Sequence, residues 1–506
     1  MQNKQHMACA LGAAALTALA PCTSLAQDPG ASPRIWALES NVTLRQTFTD
    51  NQRLQTVKES DAITEASAGV RLTGNAGRVR GYFDYTLIGS VYARNGDAND
   101  LRHVLNTAGT AELVDGQAFI DLRGSYSRQA ISAFGSQSSA PGLTEANQSD
   151  VASLSISPHL RGRLGSFARY AARLSHDVTR AKGSDAGDSE NSAASLSLDG
   201  GASGSPLAWT ADASHNISDF RAGRRTYDSR ARLGLSYLLT RELKLGVNAG
   251  TERTDVRIRD GESNATYGVL AEWTPTERTL LSANLEKRYF GTAHALRFSH
   301  RTPNTVWSLS DSREVSSTSA QGSAGFGSAY DLYFRQFAST EPDAVKRDAL
   351  VRNFLQTNGI NPNAVVVGGF LASAATLDRS QTASLGIVGV RNTVTVQLSS
   401  RRSERADKVA TVLDDLSATQ VVRQRGLSLD WAYRLTPQST ITLGGAYQRS
   451  EGDLATQETT FKTVTATWTS TLGPRSSVVA GARHSAFEGT TPYDENAVFA
   501  AFRLSF

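Results

Sequence analysis

The chain has 506 residues, with 52 Lys and Arg against 48 Asp and Glu, and its two cysteines are Cys9 and Cys22. Beyond position 22 there is no thiol, so disulfides, thiolate metal sites and cysteine nucleophiles are excluded from the bulk of the chain. The basic residues are mostly arginines scattered along the sequence rather than clustered, which argues against a nucleic-acid partner.

Lys4 and His6 open the chain, Met7 to Ala20 is an almost unbroken apolar run, and Pro21 ends it. Ser24, Leu25 and Ala26 form a small-x-small site, so residues 1–26 read as a secretory signal peptide cleaved after Ala26. Leu19-Ala20-Pro21-Cys22 loosely resembles a lipid-attachment box, but Pro21 stands where such boxes carry a small flexible residue. Residues 27–506 then form one unit. No linker divides them, and no stretch approaches the ~18 apolar residues of a membrane helix.

From residue 36 onward the sequence alternates in two-residue steps. Strands are expected at 36–48, 60–74, 78–94, 102–114, 117–129, 148–163, 166–180, 191–202, 206–219, 227–239 and 242–255. They continue at 264–273, 278–290, 292–300, 305–314, 380–390, 393–403, 424–435, 438–450, 458–470, 475–487 and 495–506. On an early strand Val79, Phe83, Tyr85, Leu87 and Val91 oppose Arg80, Asp84, Thr86 and Ser90. Later, Ala231, Leu233, Leu235 and Tyr237 oppose Arg230 and Arg232, and Leu243, Leu245 and Val247 oppose Lys244 and Asn248. Arg80, Asp84, Arg230, Arg232, Lys244, Asn248, Glu286 and Arg288 are therefore the candidate lumen-facing residues.

A soluble β-sandwich also alternates, but its strands average ~5–6 residues, whereas a membrane strand needs ~9–11. The segments here match the longer class. Tight turns such as Asn75-Ala76-Gly77, Asp115-Gly116, Thr240-Arg241, Thr436-Pro437 and Gly473-Pro474 alternate with longer polar loops at 131–147, 181–190, 404–420 and 451–457. Short turns on one side and long loops on the other mark an outer-membrane barrel. The expected fold is all-β: a single transmembrane antiparallel up-and-down β-barrel of about 22 strands, between roughly 18 and 24. It must close on itself, because each unpaired backbone group in hydrocarbon costs several kcal/mol. Trp36, Tyr237, Trp273, Tyr289, Trp431 and Trp468, near strand ends, suit interfacial girdles, with lumen packing as the alternative for some of them.

Residues 315–379 break the alternation. Positions 316–328 are rich in Gly and Ser. Pro342 to Leu355 reads as a helix, with Pro342 at a first helical position and Gly359 at the stop. Val345, Ala349, Val351, Phe354 and Leu355 give it an apolar side, and an apolar patch runs from Val365 to Leu371. This insertion leaves from the loop side, and it either caps the barrel outside or folds into the lumen.

The last strand places Phe502, Leu504 and Phe506 on one face, the pattern of an assembly signal for the barrel-assembly machinery. Catalytic patterns are absent. The histidines from His103 to His484 are scattered without metal-ligand spacing, there is no G-x-S-x-G elbow, and no phosphate loop occurs. No cofactor or metal is expected. A hydrolase built at the rim from dispersed Ser, His and Asp is the weakest reading. A TonB-dependent transporter would carry a plug of more than about a hundred residues before its barrel, whereas only 27–35 precede the first strand here.

Several short segments carry a resemblance. Leu44-Arg45-Gln46-Thr47-Phe48-Thr49-Asp50-Asn51-Gln52-Arg53-Leu54 resembles the T-D-N-x-x-L opening of the outer-membrane proteins associated with the PEP-CTERM system. Ala111 to Asp115, Trp431 to Pro437, and Gly368-Gly369-Phe370-Leu371 followed by Arg379 are similar to segments of the same family. The resemblance implies a large Gram-negative barrel linked to exosortase and exopolysaccharide genes, with outer-membrane lipid and polysaccharide-export components as partners. It implies no catalytic residues. The leading expectation is a porin-like passive channel or export conduit for exopolysaccharide or sorted surface proteins. The alternative is a structural scaffold with a closed lumen whose loops bind polysaccharide or partner proteins.

Overall fold

A computed structural model describes residues 36–138, 143, 146–201, 205–317, 330, 333–334, 337, 347–348, 350–352, 369–407 and 414–506. The expected signal segment 1–26, with Ala26, lies outside these residues.

Twenty-two strands follow one another in chain order. The first half comprises β1 (Trp36–Thr49), β2 (Asp61–Ala76), β3 (Val79–Tyr92), β4 (Asp100–Val114), β5 (Ala118–Ala130), β6 (Gln148–Leu164), β7 (Ala168–Ala181), β8 (Ser189–Gly200), β9 (Leu207–Phe220), β10 (Arg225–Leu238) and β11 (Leu243–Thr254). The second half comprises β12 (Glu262–Thr276), β13 (Thr279–Arg288), β14 (Gly291–Arg301), β15 (Thr305–Ser316), β16 (Thr376–Val388), β17 (Asn392–Arg405), β18 (Val421–Thr436), β19 (Ser439–Glu451), β20 (Glu458–Gly473), β21 (Ser476–Glu488) and β22 (Tyr493–Ser505). Every strand pairs antiparallel with its sequence neighbours, and β22 returns to β1, with Phe502 opposite Leu44. The sheet is a closed barrel, so no strand edge faces lipid. The fold expected from the alternation is the fold observed.

The two faces separate as the period of two dictates. On β11, Val247 is exposed on the outside, while Asn248 and Glu252 are buried on the inside. All six tryptophans lie at the short-turn ends of their strands: Trp36, Trp209, Trp273, Trp307, Trp431 and Trp468. They share a face with the outward leucines across the register, as Trp209 does opposite Leu235 and Trp431 opposite Leu443. That is an aromatic girdle at the periplasmic interface. Tyr289 is the exception among the expected girdle residues. It is only 8 % exposed and packs beyond the loop end of β13 against Phe220, Val256 and Ala375.

The turn between β2 and β3 needs φ of +50° at Gly77, and the turn between β4 and β5 needs +67° at Gly116, the left-handed region that glycine enters without strain. Ladder irregularities fall beside the turns, at Trp273/Thr276 around Pro275 and at Arg434/Thr436. There a missing N–H or an extra residue does least harm to the wall.

Candidate functional site

The interior of the barrel is the candidate site, and its wall is built from the inward half of each strand. Arg230 and Glu286 form an ion pair, Arg232 lies 2.9 Å from Asp212 and 3.6 Å from Glu286, and Arg288 Nε lies 2.8 Å from Glu252 Oε2. Arg288 also approaches Asp228 at 3.4 Å. Six of these residues sit on β10, β11 and β13 and the seventh, Asp212, on β9, so the wall carries a network of opposite charges spanning β9 to β13. Asp84 pairs with Arg71 of β2 at 3.0 Å. Lys244 stands opposite Glu272 in the register, Asn248 is buried opposite Gly268, and Arg80 is exposed near the turn end of β3. Thus Arg230, Arg232, Glu286 and Arg288 come together, Asn248 lies in register with Glu286 across Gly268, and Arg80, Asp84 and Lys244 stand apart.

The connection from β15 to β16 decides what the interior can do. It begins beyond Ser316 and ends before Thr376, both at the loop end of the barrel. Of the helix expected at 342–355, Arg347, Asp348, Leu350, Val351 and Arg352 are described, and all are helical; the other positions lie outside the described residues. Asp348 and Arg352 form an i,i+4 ion pair at 2.9 Å. Tyr333 and Val351 are fully buried together, and Tyr330, Phe334, Phe337 and Val388 pack around them. Val388 is the last residue of β16, at the turn end. Asp348 lies 3.8 Å from Arg71 on the β2 wall. Phe334 and Arg347 line a cavity of about 530 Å³ together with Thr276, Arg278, Ser299 and Val306, at the turn ends of β12 to β15. A segment that leaves at the loop end therefore touches the periplasmic end from inside, on walls far apart around the barrel.

The opposite mouth is covered by loops. Phe370, Leu371, Ala372, Ser373, Ala374 and Ala375 are each no more than 4 % exposed. Leu371 N–H donates to Ile131 O beyond β5 at 3.2 Å, and Ser373 N–H donates to Asp414 Oδ2 at 2.7 Å. From the other side, Asp415 accepts from Ser132 Oγ at 2.7 Å and from Ala133 N–H at 2.6 Å. Burial is the largest influence on the Asp415 carboxyl, and it raises its pKa above the ordinary range despite those donors. Ala133, Phe370, Leu416 and Val422 form one apolar cluster, so the β5–β6 and β17–β18 loops meet over the mouth with 369–375 between them. Full burial of Phe370 and Leu371 contributes roughly 1.5–3 kcal/mol each. Leu143, from the same β5–β6 loop, reaches Tyr92 of β3, Phe461 of β20 and Tyr493 of β22. Glycine permits the close passage: a Cβ on Gly223 would lie 2.1 Å from Ser373 O.

Sequence reasoning found the insertion but not this roof. Asp414, Asp415 and Gly223 sit in ordinary polar loops, and only the burial of the apolar run ending at Leu371 hinted at a docking place.

Chemistry-bearing side chains do not converge. His176 and His215 meet Ser192 and Ser229 at 2.9 and 2.7 Å, whereas His159 and His294 meet Asp121 and Asp311 at 3.3 and 2.8 Å. Among the described residues no imidazole is bonded to both a serine and a carboxylate, and no group of three His, Cys, Asp or Glu could hold a metal ion.

The assembly-signal face is placed as follows. Phe502 and Leu504 lie opposite Leu44 and Val42 of β1, and Phe506 N–H donates to Ser40 O at 2.8 Å.

A closed antiparallel sheet, apolar outside and polar inside with a tryptophan girdle, makes the chain an outer-membrane β-barrel. No family model matches it, and no curated protein matches it. Among solved structures it is similar to the siderophore receptor PirA from Pseudomonas aeruginosa, at 10% identity over 94% of this chain and 81% of that one, with a TM-score of 0.44. It is similar to PirA from Acinetobacter baumannii at 10% identity over 93% and 80%, with a TM-score of 0.47. The FrpB iron transporter from Neisseria meningitidis gives 12% identity over 94% and 82%, with a TM-score of 0.47. Likeness at this level transfers no ligand and no activity.

Proposed function

We propose that the protein is a gated outer-membrane conduit, held shut at rest by the β15–β16 connection and by the loops over its mouth. The observation that carries this reading is the contact of Tyr333, Phe334, Arg347 and Val351 with the periplasmic end of the barrel, although their segment departs from the extracellular end. Barrels of 16–18 strands already leave an aqueous channel, so a wider one needs an internal element if it is to hold a permeability barrier. Many of the wall charges are paired with one another, which leaves a hydrated polar path suited to a polar polymer. We take that cargo to be of the surface-polysaccharide class, following the resemblance to PEP-CTERM-associated barrels.

Planar-bilayer recording tests the reading. The full chain should show small or rare openings, and a variant lacking 330–352 should show large, steady conductance. If the deletion leaves the bilayer sealed, the barrel is not a conduit closed by this segment. The second reading, a closed scaffold with binding loops, is favoured by the buried roof at 369–375 and would then stand.

A further inference from the structure

The lipid-facing wall is uneven in height. On β6 the outward residues stay uncharged from Leu164 through Leu160 and Ile156 to Leu154, and on to Ala152. At ~3.3 Å per residue and a tilt of ~40°, that is roughly 30 Å of wall. On β18 the outward row runs Leu435, Tyr433, Trp431, Leu429, Leu427 and then meets Arg425 and Arg423. From Leu435 to Leu427 the same geometry gives roughly 20 Å, short of the ~25 Å apolar band of such barrels. β17 and β16 break off in the same way, at Arg402 and Arg379.

The arginines at this break stand side by side. Arg379 lies directly opposite Arg402, Arg402 directly opposite Arg423, and Arg425 directly opposite Arg449. They point outward, since their strand neighbours Arg401, Gln424 and Gln448 are buried on the inner face. The side chains of Arg379 and Arg402 remain 47% and 49% exposed. Like charges directly opposite on a sheet repel. Carboxylates offset part of this repulsion: Asp311 beside Arg379, Glu404 beside Arg402, Glu451 directly opposite Arg423 with Asp453 at 4.0 Å from it, and Glu451 and Glu458 beside Arg449. Arg425, in the middle, has no ion-pair partner among the described residues.

We propose that this rank of arginines on β16–β19 binds the phosphate groups of outer-leaflet glycolipids, drawn down beside the short wall. A phosphate between two opposed guanidinium groups turns their repulsion into two sets of charge-assisted hydrogen bonds, in the planar geometry that arginine favours. The rank sits on the same strands as Leu398, Leu427 and Leu429, immediately above them, so its occupant must join an anionic head to an apolar tail. A phospholipid-type amphiphile meets that demand, and a soluble acidic polymer does not. Basic pockets beside membrane-spanning segments hold lipid headgroups on the same physical grounds.

Native mass spectrometry of the full-chain protein in detergent tests this, with lipid A bearing two phosphates and its dephosphorylated counterpart as probes. The unaltered protein should retain the phosphorylated form at least about tenfold more strongly, a difference of charge-assisted bonds alone. The R402Q/R423Q/R425Q variant should lose that preference, and the charge-preserving R402K/R423K/R425K variant should keep part of it. R253Q/K287Q, which removes two outward cations on β11 and β13, should behave as the unaltered protein does. Equal retention of the two lipids by the unaltered protein overturns the proposal, whether or not any variant folds. So does unchanged retention in the folded glutamine variant, or a dimer that the glutamine variant abolishes, since a second copy would then be the occupant.

Discussion

The Tyr333 hydroxyl lies 2.6 Å from Thr395 Oγ1. Thr395 is on the inner face of β17, three residues above the turn that joins it to β16, whereas the segment carrying Tyr333 departs from β15 at the opposite end. That single contact places the β15–β16 connection inside the barrel rather than over it. In the proposed conduit, transport past it requires the segment to move.

Val351 is fully buried against Tyr333, so truncating it should loosen the docked segment without touching the wall. Val351→Ala removes the equivalent of about two methylenes, or about 1.5 kcal/mol. The expected outcome is a roughly tenfold larger open fraction in single-channel recordings, because about 1.4 kcal/mol is tenfold in an equilibrium. The melting profile of the barrel should stay unchanged.

Gly223→Ala tests the roof. The added Cβ would meet the Ser373 carbonyl at 2.1 Å, and that carbonyl belongs to backbone that cannot rotate aside. Overpacking of this kind costs roughly 1–3 kcal/mol, and the roof is the part free to yield. Amide hydrogen exchange at Leu371 and Ser373 should accelerate in the variant and stay unchanged in strands far from the mouth.

Arg483 and Glu495 form a nearly solvent-free pair at 2.8 Å on the inner face of β21 and β22, and Thr49 donates to the same carboxylate at 2.9 Å. Glu495→Ala leaves a buried guanidinium without its partner, at a cost of roughly 3–5 kcal/mol. Urea unfolding from lipid vesicles should move to lower denaturant by a corresponding amount. Because β22 closes the barrel on β1, slowed assembly should accompany the loss.

The β19–β20 loop gives a pH dependence. Asp453 accepts first from Gln420 N–H at 2.8 Å, and its carboxyl is held below the ordinary range by that bond and by the Thr419 and Arg423 contacts, against slight desolvation. A depressed folded pKa means that the stabilisation is fully present above the unfolded value of ~3.9 and is lost as pH falls through the folded value. Protection of the Gln420 amide should therefore hold at neutral pH and fall away only in acid below the usual carboxylate range. In Asp453→Asn it should be weaker and nearly flat with pH.

The barrel was legible because its signal is local and repeated. Alternation such as Leu243, Leu245 and Val247 against Lys244 and Asn248 fixes which side faces lipid, and the turn residues fix the order of strands. The lumen charges were legible as a face but not as pairs. Arg230 meets Glu286 of a strand three places along the sheet, and a period of two says nothing about that distance across the register. The interior placement of the insertion was left open between lumen and cap, since the contacts that decide it join Tyr333 to Thr395 and Asp348 to Arg71 over long sequence separations. Tyr289 misled for a similar reason. Its strand-end position suits a girdle, but Val256 of the β11–β12 loop and Ala375, just before β16, pack over it.

The most direct measurement locks the segment where it sits. Cysteines at positions 333 and 395, in a chain without Cys9 and Cys22, would be joined by a short cleavable bis-maleimide, since the reach of a tyrosine exceeds that of a disulfide. The bridged protein should be silent in planar bilayers at every voltage, and cleaving the bridge should restore the openings of the full chain. Openings that persist with the bridge intact would contradict the account, because the path would then not run past Tyr333.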